Sequence, residues 1–173
     1  MGQAPGRPDG ALNMARRPLR ASDIPGAVAR YLTLRSSARA HLRGLMLRKL
    51  DPDDADAQPA LDAELDRMEA RGLLGDAAYA ASRARSMVGS GRSPIQTRAW
   101  LRQKGVAEAE VGVALREVAE DLQEDPTLAA ARAWVRKKRA GHLSVKPDDS
   151  RDLARMGRAG FPYDVARRAL RGD

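Results

Sequence analysis

The chain has 173 residues, with 31 Lys and Arg against 23 Asp and Glu, a formal net charge of +8, 10 Pro, 15 Gly and no Cys. That length suits one compact domain or a short array of small repeats, and the absence of cysteine excludes disulfide scaffolds, thiolate zinc sites, iron–sulfur clusters and cysteine nucleophiles. Aromatic residues make up only 3% of the chain, so Leu, Ala, Val and Met must build the core, a composition that favours packed helices over sheets.

Residues 1 to 22 are rich in Gly, Pro, Ala and Arg without helical periodicity and read as a disordered basic leader. Ser22 or Asp23 can cap a first helix to about Leu34, Ser36 or Ser37 a second to Lys49, and Asp56 a third that stops at Gly72. Asp76 caps a fourth helix to about Val88, and Gly89 to Arg92 follow as a flexible connection. Ser93 with Pro94 pairs an N-cap with proline at the first helical position and opens a fifth helix that ends at Gly105. A sixth spans about Ala107 to Gln123, and Asp125 with Pro126 repeats the cap-plus-proline signal for a seventh to about Arg139. The eighth covers roughly Asp149 to Ala159 before Gly160, and the ninth Tyr163 to Arg171. No segment shows strand alternation, and no run approaches the roughly 18 consecutive apolar residues of a membrane span, so a soluble, unexported protein is expected.

Shifted on itself by 55 residues, the sequence matches across three helices: Tyr79 falls on Trp134, Arg83 on Lys138, Leu101 on Met156, Gly105 on Gly160, Val106 on Phe161, Leu115 on Leu170 and Arg116 on Arg171. In the first stretch Tyr31 takes the aromatic position and Leu50 stands where the others have Gly. The pattern predicts an all-α, elongated array of three tandem three-helix repeats, at 23–74, 75–124 and 125–173. Each repeat is too small to bury its apolar stripe alone, so neighbours must stack. Leu61, Leu65 and Met68 follow helical spacing as a buried stripe, and Tyr31, Tyr79 and Trp134 read as core anchors rather than base-stacking residues.

Charge alternates in blocks. Residues 1–50 hold 10 basic and 2 acidic side chains, and 51–76 hold 2 and 9; 77–105 hold 6 and none, 106–125 hold 1 and 7, and 126–146 hold 6 and none. A basic balance of this kind suits a polyanionic partner or an acidic protein surface.

Little in the chain suits catalysis. His41 and His142 lie far apart without companion ligands, the clusters Asp51 to Asp56 and Asp148 to Asp149 sit in loops before helices where carboxylates cap N-termini, and Gly89 to Ser93 lacks the phosphate-loop pattern. The basic residues are the remaining signal. Arg132, Arg136 and Arg139 fall at i, i+4 and i+7, Arg98 and Arg102 one turn apart, and Arg167 and Arg171 likewise, with Arg168 beside them. Stacked repeats would align these stripes into a continuous positive track.

The stretch LDRMEARGLLGDAAYAASRARS at Leu65 to Ser86, the run LRQKGV at Leu101 to Val106 and the closing FPYDVARRAL at Phe161 to Leu170 resemble the RecX family of recombinase regulators over about residues 25 to 172. Leu50, an expanded Asp51 to Gln58 loop, and Gln96 with Thr97 depart from that family's pattern. The resemblance implies a cytoplasmic, non-enzymatic protein without cofactor or metal that binds the RecA filament on single-stranded DNA, lodges in its groove, and limits filament growth, ATP hydrolysis and strand exchange. Control of the SOS response follows indirectly, and some members bind DNA directly. The matching basic positions, Arg83, Arg85, Arg102, Lys104, Arg167 and Arg168, are carried over as filament or DNA contacts, and a monomer is the simplest state for a protein that fits a groove. The competing expectation is a helical protein that acts on DNA phosphates without a recombinase.

Overall fold

A computed structural model describes residues 17–145 and 148–173. Among them the chain forms α1 (Ile24–Leu34), α2 (Arg39–Leu47), α3 (Ala57–Ala70), α4 (Asp76–Gly89), α5 (Pro94–Gln103), α6 (Glu108–Leu122), α7 (Pro126–Lys138), α8 (Asp149–Arg158) and α9 (Tyr163–Arg171), with short 3-10 turns at Ala21–Asp23 and Gly141–Leu143. The architecture is all-α, and the predicted helices are present within a few residues of their expected ends. In each successive set of three, the first helix packs on the third: α1 on α3, α4 on α6 and α7 on α9.

The cap signals act locally where they include proline. Ser93 Oγ accepts from the Gln96 amide at 3.4 Å, and an Asp125 carboxylate oxygen accepts from the Thr127 amide at 2.6 Å. The Thr127 side chain, and after it the Thr127 and Leu128 amides, hold the Asp125 carboxyl below its ordinary pKa against its partial burial. Two other caps are delivered differently from the sequence expectation. Neither Ser36 nor Ser37 opens α2, which starts at Arg39, and Asp76 does not cap its own helix. Instead the Asp76 carboxylate accepts from the Arg39 amide at 2.7 Å, so the start of α4 caps the start of α2 and ties the first three helices to the next three.

The leader expected at 1–22 is shorter than predicted at its C-terminal end. Residues 1–16 lie outside the described residues, but Leu19 forms a parallel bridge to Leu50, with Leu19 N to Lys49 O at 2.7 Å and Asp51 N to Leu19 O at 2.9 Å. Asp54 caps the turn at the Ala21 amide at 2.9 Å, and Asp51 takes Arg20 at 3.3 Å. The Asp51 to Asp56 loop is therefore a clamp for 17–22. It also explains Leu50: where the later sets turn on Gly105 and Gly160 at positive φ, the first pairs backbone with the preceding strand-like segment.

The buried residues form two clusters. Ile24, Val28, Leu42, Met46, Leu61, Leu65, Met68 and Leu74 close a core within α1–α3, against which Tyr31 is half-buried. A second, larger core runs continuously from α4 through α9 and includes Tyr79, Leu101, Val111, Trp134, Met156 and Phe161. The first set closes most of its apolar stripe within α1–α3, with Leu19 of the tethered 17–22 segment packed against it, while Ala38, just before α2, is buried in the shared core. Gly89 to Arg92 is not a loose connection either: Gly91, at φ +85°, lies under α7 so closely that a Cβ there would sit 2.7 Å from the Trp134 backbone. Gly105, also at φ +85°, has its Cβ space filled by Ala40 of α2.

Candidate nucleic-acid and protein interface

The charge blocks of the sequence meet one another across helix pairs. In the first set Arg39 on α2 reaches Asp66 at 2.7 Å and Glu69 at 2.6 Å on α3, and Arg43 reaches Asp62 at 2.6 Å. The Arg43 guanidinium holds the Asp62 carboxyl below the usual carboxylate range. In the second set Arg85 on α4 pairs with Asp121 on α6, and Arg98 on α5 pairs with Glu108 on α6, toward which Arg102 also leans at 3.7 Å. The second-set pairs are exposed, so each is worth little in stability; their effect is to cancel the local field.

Two more candidates in this region are held without an acid. Arg83 lies over the Tyr79 ring at 5.6 Å to its centroid. Lys104 lies over Trp100 at 5.4 Å and sits 3.3 Å from His41 Nε2 on α2. Burial, then Lys104 and Arg48, hold the His41 imidazole below its ordinary pKa, so it is neutral and accepts from the Lys104 ammonium.

The third set is different. Arg132 is tied down, with Glu124 at 2.7 Å and the Asp173 carbonyl at 3.0 Å. Arg139 is not on the α7 face at all: it is the residue after the helix, in left-handed backbone at φ +50°. The predicted stripe of Arg132, Arg136 and Arg139 is therefore broken at both ends, because one member is neutralised and the other leaves the helical period. What replaces it is a cluster. Arg136, Lys137, Lys138 and Arg139 are all exposed at the end of α7, and α9, which packs on α7, exposes Arg167, Arg168 and Arg171. Among the described residues none of these forms an ion pair, although Arg168 lies near enough to Asp125 to help lower its carboxyl pKa. Among the candidate contacts, the exposed cations without an ion pair thus gather mostly in the third set, while Arg30, Arg48 and Lys49 of the first set are exposed as well.

Three features escape a sequence reading. Tyr163 is the one aromatic side chain that is mostly exposed, at 67%, whereas Tyr79 and Trp134 are 6% and 8% exposed. Asp152 is buried, accepting from the Gly141 amide at 3.1 Å and from Arg155 at 3.0 Å, so it pins the turn after α7 to α8. In the first set, Leu19, Ala27, Tyr31, Leu34, Met46 and Leu50 form the floor of an open cleft rimmed by Arg30, Arg48 and Lys49. Tertiary packing decides all three. Among the described residues no cluster of His, Asp and Glu is arranged to hold a metal ion, and no helix is long and apolar enough to cross a membrane.

The described residues thus form an all-α protein of successive three-helix sets with surface cations and an apolar cleft. Comparison with known proteins identifies its family. The family model for the second three-helix domain of RecX matches residues 76–115, which span α4, α5 and the first half of α6. The regulatory protein RecX of Myxococcus xanthus is 30% identical over 185 residues, covering 98% of this chain and 97% of its own. That of Pseudomonas savastanoi pv. phaseolicola is 36% identical over 154 residues, covering 87% of this chain and 94% of its own. The crystal structure of RecX from Lactobacillus salivarius has the same fold, with a TM-score of 0.61 at 18% identity, over 88% of this chain and 95% of that one. The chain belongs to the RecX family of regulatory proteins.

Proposed function

We propose that this protein binds the RecA filament on single-stranded DNA and limits its extension, ATP hydrolysis and strand exchange, and so regulates recombinational repair. The observation that carries this reading is the family membership across nearly the whole chain. The distribution of charge and apolar surface supports two places at which such a partner would be met. The exposed cations at the end of α7 and along α9 suit a partner that carries DNA, because phosphate neutralisation releases counterions and steers encounter. The apolar cleft of α1–α3 offers a protein surface a seat that bare DNA does not need.

In this reading the working units are three, at 23–74, 75–124 and 125–173, with residues 17–22 joining the first. The protein acts as a cytoplasmic monomer and by binding alone. Of the ten candidate contacts, Arg136, Arg139, Arg167 and Arg168 are the primary ones, and Arg83, Arg85, Arg98, Arg102, Lys104 and Arg132 contribute after exchanging their internal partners.

The test is the steady-state ATPase of RecA on single-stranded DNA with increasing amounts of this protein, beside its binding to the same DNA alone at two salt concentrations. Inhibition well below stoichiometry with recombinase, at salt where bare-DNA binding is weak, is expected. Inhibition only at concentrations that coat the DNA would favour the second reading, direct action on DNA phosphates, which the same cationic cluster supports.

A further inference from the structure

The exposed ring of Tyr163 lies at the start of α9, on the same face as Arg167 and Arg171, which follow at i+4 and i+8. Tyr163, Arg167, Leu170 and Arg171 form one side of a shallow cleft whose other side is Leu153 and Asp149 on α8. The cleft thus has an aromatic wall, an apolar back made by Leu153 and Leu170, and two guanidinium groups with no acidic partner among the described residues. The internal match of the sequence sharpens its meaning. Shifted back by 55 residues, Tyr163 falls on Glu108, Arg167 on Gly112 and Arg168 on Val113. Where α6 carries the acid that neutralises Arg98 and Arg102, α9 carries an uncovered tyrosine beside added arginines.

We propose that this cleft is a binding site for single-stranded DNA, with a base stacked on Tyr163 and the flanking phosphates on Arg167 and Arg171. The proposal rests on the reading that this protein meets DNA-bearing filaments, and it assigns the cationic third of the molecule a base contact as well as phosphate contacts. Stacking is sequence-tolerant, since every base has a π-face, and suits a regulator that works on any single strand. Asp149 is the one anion lining the cleft; it disfavours phosphates on the α8 side and so directs the strand along α9.

The experiment uses the full chain with two fluorescein-labelled oligonucleotides of equal length, one of oligo-dT and one fully abasic, read by fluorescence anisotropy. Tyr163→Ala is expected to weaken oligo-dT binding by about 5- to 150-fold, the range of one stacked base, and to leave abasic binding unchanged. Tyr163→Phe keeps the ring and retains binding to both. Arg167→Glu with Arg171→Glu weakens both strands alike, and Asp149→Asn strengthens both. Wild-type affinity of Tyr163→Ala for oligo-dT, or equal loss on both strands, overturns the stacking role; in that outcome the ring belongs to a protein contact. No binding of oligo-dT by the wild type at low salt also overturns the site, while inhibition of the RecA ATPase under the same conditions leaves the filament reading standing.

Discussion

The second and third helical sets follow the same plan and dispose of their arginines in opposite ways. In α4–α6 the arginines of α4 and α5 face an acidic α6, and Arg85, Arg98 and Arg102 end in ion pairs with Asp121 and Glu108. In α7–α9 the third helix reads YDVARRALR, and among the described residues no acid pairs with the cations at the end of α7. One set cancels its cations internally; the other leaves them exposed. A repeat can thus diverge in function with its apolar stripe intact, because solvent-facing positions are free to change sign while Leu115 and Leu170 stay buried at equivalent places.

The largest effect separates rings that hold the fold from the ring that does not. Trp134, against which Gly91 packs without room for a Cβ, anchors the core shared by α4–α9. Trp134→Ala is expected to lower unfolding free energy by about 3–5 kcal/mol in chemical denaturation, and Tyr163→Ala to change it by less than about 0.5 kcal/mol. Similar losses at the two positions would erase the distinction between core and surface aromatics.

Charge reversal tests the same contrast in binding. Arg167→Glu with Arg168→Glu reverses two exposed cations of α9 that form no ion pair among the described residues and is expected to raise the concentration needed to inhibit the RecA ATPase by about tenfold. Arg85→Glu removes a cation already cancelled by Asp121, and the expected change is at most about threefold. A larger loss from Arg85→Glu would mean that the exposed pair opens in the complex and that the second set carries the contact.

Much of this fold was legible in the sequence, because cap-plus-proline signals at Ser93 and Asp125 and stops at Gly72, Gly105 and Gly160 act within a few residues of themselves. What was not legible crosses the chain. Asp76 caps α2 rather than its own helix, and Leu19 finds Leu50 through a backbone bridge that no periodicity announces. The site was legible as a count of cations and not as a place: helical spacing put Arg132, Arg136 and Arg139 in one stripe, while Glu124 and the left-handed backbone at Arg139 took two of them out. Tyr163 was passed over for the same reason. An aromatic in a chain poor in aromatics is expected inside, and only packing shows that Phe161, two residues earlier, fills the core in its place.

A smaller effect comes from giving the second set the third's residue. Glu108→Tyr frees Arg98 and Arg102 at a cost below about 1 kcal/mol, since both pairs are exposed. Affinity for single-stranded DNA at low salt is expected to rise about threefold, with a steeper salt dependence as two more cations become available to phosphates. An unchanged salt slope would show that the α5–α6 face is kept from DNA by shape and not by charge.

The smallest effect concerns Lys104, the candidate cation of the second set whose partner is an imidazole. Neutral His41 accepts from it, and with its pKa held below the ordinary value the folded state binds this proton less readily than the unfolded chain does. The stabilising contribution is therefore complete above the unfolded pKa of about 6.5 and is lost as pH falls through the folded value. Protonation removes the acceptor and sets His41, Lys104 and Arg48 against one another where α2 meets α5. Between pH 7.5 and 5.5 the wild type is expected to lose less than about 1 kcal/mol, because the group is only half-buried. His41→Gln, which keeps an acceptor and does not titrate, should show a flatter stability profile across that window. The depressed carboxylates Asp23, Asp62 and Asp125 act only at lower pH, below the ordinary carboxylate range. Identical profiles for the two proteins would mean that the junction between the first and second sets rests on Gly105 against Ala40 and on the Asp76 cap, with His41 a bystander.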